Sequence, residues 1–186
     1  MKLENSEKEI TVVRTVIVLA MVVLAAVLRI LPHPWNFTPI GAMALFSGAM
    51  VKDRRLAVLF PLLALFVGDL FIGFNKLIPI VYASFLLNVL IGRFLADHRT
   101  VARIGGATFL AALQFFLITN FAVWALLGTY SLTPAGLVAC YVTGLPLFGN
   151  TLAGDALYVT LLFGGFALAE RTFPALRRQA AEEPVR

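Results

Sequence analysis

The chain has 186 residues, 60% hydrophobic and 13% charged, with a mean hydropathy of +0.91 and a formal net charge of +5. Soluble domains carry about a quarter charged residues, so this composition describes a single-domain bilayer protein with no room for a separate soluble catalytic domain. One cysteine excludes an internal disulfide framework and CxxC metal sites, no GxxxxGK phosphate loop occurs, and the positive charge follows membrane topology rather than a nucleic-acid footprint.

The polar N-terminus leads into an apolar run predicted to span the bilayer over 12–31. No A-x-A-like site precedes the Pro32-His33-Pro34 break, so this run reads as a retained span and not a removed leader. Trp35 follows as an interface-type aromatic. The second predicted span, 39–51, has only about 13 residues, which is short for a crossing. It must borrow loop residues or lie shielded by its neighbours. Lys52-Asp53-Arg54-Arg55 ends it. The third and fourth spans are predicted over 56–74 and 77–96, and the fifth over 104–127. The stretch 134–169 carries Pro146 and is long for one helix. It is therefore divided into a short outer or re-entrant segment, 134–147, and a sixth span, 150–169.

Orientation comes from Lys and Arg. Of the 15 basic side chains, all but Arg29 and Lys76 fall in the N-terminus, the 52–55 loop, the 93–103 region or the C-terminal tail. The positive-inside rule then puts both termini in the cytoplasm, which requires an even number of spans; six fits. The predicted fold is an all-α integral membrane bundle of six transmembrane helices in one domain, 1–186.

This topology sorts the polar residues by depth. Asp69 lies five residues before the end of the third span, and Asp155 five after the start of the sixth, each roughly 7.5 Å deep at 1.5 Å per residue. Asn120 and Trp124 fall in the outer half of the fifth span, Asn36 in an outer loop, and Cys140, Tyr141 and Asn150 in the outer connection. An outward-facing pocket accounts for this clustering. The two acids also sit in similar surroundings: each follows a Gly, with Pro61 eight residues before one and Pro146 nine before the other. The two segments run in opposite directions, as in inverted repeats.

An intramembrane carboxylate is costly and is by default a functional-site candidate. Asp69 and Asp155 can bind a cationic ligand, pair with a basic residue, stay protonated, or bond a neighbouring helix. Asn88 and Asn120 can be interhelical glue; Asn88 is assigned to packing and Asn120 to the site. Trp124 and Tyr141 can stack on a planar ligand or belong to an aromatic belt. Cys140 is a soft-metal ligand or a small buried apolar residue. No nucleophile has an evident base other than the aspartates, which argues against an intramembrane hydrolase. Small-xxx-small pairs at Ala44/Gly48 and Ala107/Ala111 allow close helix approach, chiefly within the chain.

The segments RILPHPWNFTPIGAMALFSGA, FPLLALFVGDLFIGF, NFAVW and LTPAGLVACYVTGLPLFGNTLAGDALYVTLLFG together resemble a family of small bacterial membrane proteins assigned to transport. That family is similar to the substrate-binding S components of energy-coupling-factor vitamin transporters. The resemblance implies an S-component-like bundle in the bacterial cytoplasmic membrane, with a pocket open to the outside for a vitamin or cofactor precursor. It further implies a transmembrane coupling subunit with ATPases as partner. S components commonly carry an AxxxA face on the first span; Ala20, Ala25 and Ala26 do not give that spacing. A cobalamin-specific type uses a cysteine towards cobalt, and Cys140 lies on the corresponding predicted side.

The resulting expectation is a transport protein, not an enzyme, with no cofactor and no nucleic-acid partner. Its partners are the lipid bilayer and a small-molecule substrate. Asn36, Asp69, Asn120, Trp124, Tyr141, Asn150 and Asp155 line the expected pocket. The alternative is a structural membrane scaffold of a cell-envelope complex, whose polar groups only hold helices together and which has no pocket of roughly 300 Å³ or more.

Overall fold

The computed structural model describes residues 24, 27–29 and 31–172. Among them every regular element is helical: α1 (Ile40–Met50), α2 (Arg54–Ile72), α3 (Ile78–Arg93), α4 (Val101–Leu126) and α5 (Pro134–Thr172). Residues 27–29 are also helical, and the Leu31 N–H donates to the Val27 carbonyl. Most of the span expected over 12–31, and both termini, lie outside the described residues.

Local chemistry sets the ends of these helices. Asp53 caps α2 by accepting from the Arg55 and Leu56 N–H groups, Thr100 caps α4 through Arg103, and Thr133 caps α5 through Gly136. Gly73 closes α2 with φ 102°, a left-handed conformation that a side chain would strain. Three helices, α2, α4 and α5, are long and apolar enough to cross a membrane; α1 and α3 are shorter.

One division expected from sequence is not made. Residues 134–147 form no separate segment: α5 runs unbroken for 39 residues with Pro146 inside it. Proline removes one backbone donor, but a helix packed among others tolerates that loss.

At the centre lies α1. Every residue from Ile40 to Ala49 is buried, and the helix packs against α2, α3, α4 and α5. One of its faces joins Ala57, Leu65, Phe85 and Val89. Its other face joins Ala111, Val159 and Phe163. A helix apolar all round is one enclosed on all sides, which accounts for the shortness of the segment. Its closest approach is to α3. A Cβ at Gly48 would collide with the Val89 carbonyl, and one at Gly92 with the Leu45 carbonyl, so two facing glycines let the backbones touch. Ala44 and Gly48 thus serve packing within the chain. Leu59, Leu63, Phe66, Leu70 and Phe71 of α2 are instead exposed. A continuous apolar outer face of this kind suits lipid rather than water.

The serine in α1 solves a backbone problem in α2. Pro61 has no N–H to give the Ala57 carbonyl four residues earlier. Ser47 Oγ donates to that carbonyl at 2.7 Å.

Candidate functional site

A helix as short and buried as α1 leaves unpaired backbone groups at both ends, and a lipid environment offers no water to satisfy them. Its N-cap, Pro39, makes no side-chain cap. Asp155, from near the middle of α5, supplies one across the bundle by accepting from the Ala42 N–H. Gly41 makes the approach possible, because a Cβ there would overlap the Asp155 carboxylate. At the other end, Arg93 from α3 donates to the carbonyls of Val51 at 2.6 Å and Lys52 at 2.8 Å. An acid at the N-terminus and a base at the C-terminus both complement the helix dipole.

Asp69, the second buried acid, has different company. Its Oδ1 pairs with Arg29 Nη2 at 2.5 Å, and its Oδ2 accepts from the Tyr82 hydroxyl at 3.0 Å. Arg29 lies over Gly68, where a Cβ would collide with its side chain. Both carboxylate oxygens are therefore used inside the protein, and a buried ion pair of this kind is held by its partners rather than by solvent.

Between Asp155 and Arg29 is a cavity of about 410 Å³, within the lower range of ligand sites. Arg29, His33, Asn36 and Thr38 line one side of it, Asn88 of α3 another, and Thr151 and Asp155 of α5 a third. Phe85 and Phe115, with ring centroids 5.0 Å apart, give it an apolar wall. Asn36 has φ 64° in a tight turn closed by Phe37 N–H to Pro34 O. Trp35, also in the lining, is 82% exposed at the mouth. Asn150 Nδ2 donates to the Trp35 carbonyl at 3.0 Å and ties this turn to α5. Two buried nitrogens of the lining, Arg29 Nε and His33 Nε2, have no hydrogen-bond partner. Buried polar atoms are paired in the great majority of cases, so these two mark where a ligand atom has something to gain.

Of the seven residues expected to line a pocket, Asn36 and Asp155 do so. Asp69 stands behind Arg29 as its counter-ion. Asn150 acts one layer out, through Trp35. The other three belong to the α4–α5 contact. Asn120 bonds the Phe116 carbonyl of its own helix at 2.8 Å and packs against Gly144. Trp124 Nε1 donates to Ser131 O at 2.9 Å. Tyr141 donates to Leu117 O at 2.8 Å and stands edge-on to Phe116. Cys140 is buried there too, its thiol on the Asn120 carbonyl at 3.3 Å, and among the described residues no three His, Cys, Asp or Glu side chains cluster as metal ligands.

Arg29, His33 and Asn88 were not among the expected site residues. Arg29 carried a readable signal, since it is one of only two basic residues on the predicted outer side and lies, like Asp69, near the outer end of its expected span. Asn88 bonds Gln114 Nε2 at 2.6 Å, so it is both interhelical glue and lining. A second hollow of about 660 Å³ opens between α4 and the C-terminal half of α5. It is larger and its lining includes Arg99 and Glu170, but none of the described buried polar atoms without a partner lies in it.

Three helices long and apolar enough to span a bilayer, with the cavity lying among them, mark a helical membrane protein. The chain belongs to a family of unknown function, DUF6580, whose model matches residues 9–176. Neither the curated proteins nor the solved structures contain a match.

Proposed function

We propose that this protein is a substrate-binding membrane transporter of the S-component-like kind. It captures a small molecule, such as a vitamin or cofactor precursor, in the cavity between α1, α3 and α5 and carries it across the bacterial cytoplasmic membrane. The basic residues put both termini inside and the Arg29–Asp155 cavity towards the outer face. No bond in the substrate is made or broken. In this reading, as the resemblance to S components implies, a separate coupling subunit with ATPases supplies the energy.

The observation that supports this reading is the cavity itself, with buried Asp155 and two orphan buried nitrogens in its wall. A scaffold whose polar groups only glue helices needs no such space. Native mass spectrometry of protein extracted from its own membranes in mild detergent tests the proposal. A bound small molecule that is lost in Asp155→Asn and Asn88→Ala, and kept in Cys140→Ala, is the expected result. A ligand indifferent to the cavity substitutions, or ligand-free protein holding a large membrane partner, would favour the scaffold reading.

A further inference from the structure

The charges around the cavity narrow the chemistry of its occupant, on the premise that it is the capture site proposed above. Arg29 is already neutralised: Asp69 takes its Nη2, and Tyr82 completes Asp69. Its Nε–H is left buried in the wall with no acceptor among the described residues, and His33 Nε2 is likewise without a partner. Asp155 shows the reverse. It is 3% exposed, faces no described Lys, Arg or His within bonding distance, and has one backbone donor, Ala42. A carboxylate has about four acceptor sites, so one backbone bond leaves capacity for a donor from the cavity. The dipole of α1 would offset only part of the charge of an ionised Asp155, since a helix terminus is worth about half an elementary charge, so a cationic partner favours its ionisation.

We infer that the cavity takes a compact amphoteric molecule, with a protonated nitrogen on Asp155 and a carboxylate or carbonyl oxygen at the Arg29–His33 wall. Phe85 and Phe115 lie along the same space and cover a flat apolar body between the two ends. Every part of such a ligand meets its complement. A purely anionic ligand would bring no donor to Asp155, and a purely cationic one would leave the Arg29 Nε–H buried without an acceptor.

Three probes on one scaffold test this by isothermal titration of the purified full chain: 4-(aminomethyl)benzoate, which is zwitterionic, 4-methylbenzylamine and 4-methylbenzoate. The zwitterion should bind at least about tenfold more tightly than either single-charge probe, as expected for a charge-assisted hydrogen bond at each end. Asp155→Asn keeps an acceptor for the Ala42 N–H, so α1 stays capped. It should cut zwitterion binding about tenfold and leave 4-methylbenzoate unharmed. Arg29→Gln with Asp69→Asn removes both charges of the pair together and should abolish the advantage of the zwitterion over 4-methylbenzylamine. Equal binding of all three probes, or variants that keep the wild-type preferences, would overturn the amphoteric assignment and leave capture standing. Absence of saturable binding by every probe, in protein that also carries no co-purifying molecule, would overturn both.

Discussion

Asp69 and Asp155 look alike in the sequence. Each follows a glycine, each stands in an apolar run, and a proline precedes each by eight or nine residues. The structure gives them opposite tasks. Asp69 is the closed acid: an arginine and a tyrosine occupy its two oxygens, and it is screened from the cavity by its own counter-ion. Asp155 is the open acid: it caps a helix with one bond and turns the remainder of its capacity to the cavity. The difference lies in what the neighbouring elements present. The segment before α1 brings a cation to Asp69, whereas the broken backbone at the start of α1 brings only N–H groups to Asp155. Local sequence around an intramembrane acid thus says that it matters, and the partner decides how.

Substitutions can pull the two acids apart, and the largest effect belongs to the closed one. Arg29→Ala strands a buried charge at Asp69 and should cost about 3–5 kcal/mol of stability. Arg29→Gln combined with Asp69→Asn should regain most of it. Thermal unfolding in detergent checks this, and equal losses in the single and double variants would contradict the pairing. Gly41→Ala acts on the open acid by pushing the Asp155 carboxylate off the helix end. The expected cost is about 1–3 kcal/mol, the usual range for overpacking, together with loss of ligand binding by titration. Unchanged binding would show that Asp155 does not need its cap in order to serve the cavity.

Smaller changes sharpen the contrast. Tyr82→Phe removes one hydrogen bond from Asp69 and should cost about 1 kcal/mol with binding intact. A binding loss as large as that of Asp155→Asn would mean that the closed acid is also part of the site. Asp155→Asn itself should cost less than about 1 kcal/mol, because its amide oxygen still accepts from Ala42, while ligand binding falls. A reversed ranking, with Asp155→Asn the more destabilising of the two and binding preserved, would reduce Asp155 to a structural cap.

Much of the scaffold was legible in the sequence because it depends on local pattern. The helices now labelled α1 to α4 lie within a few residues of the runs expected at 39–51, 56–74, 77–96 and 104–127, and the shortness of 39–51 already pointed to shielding by neighbours. Pro146 misled, because proline interrupts a helix strongly in water and weakly inside a packed membrane bundle. The site was only half legible. Depth alone grouped Asn120, Trp124 and Tyr141 with Asp155, but depth does not say which way a helix face turns. Those three face the α4–α5 seam. Asn88 was assigned to packing alone for the opposite reason: an asparagine near the midplane reads as glue, and nothing in its sequence neighbourhood shows that a glue residue also borders a hollow.

The length of α5 has a mechanical consequence. Thirty-nine residues make a rod of roughly 58 Å at 1.5 Å per residue, close to twice the ~30 Å hydrocarbon thickness of a bilayer. Asp155 sits near its middle. A helix of that length tilts in a bilayer or overhangs it, and Asp155 stands at the joint with α1 rather than at either end.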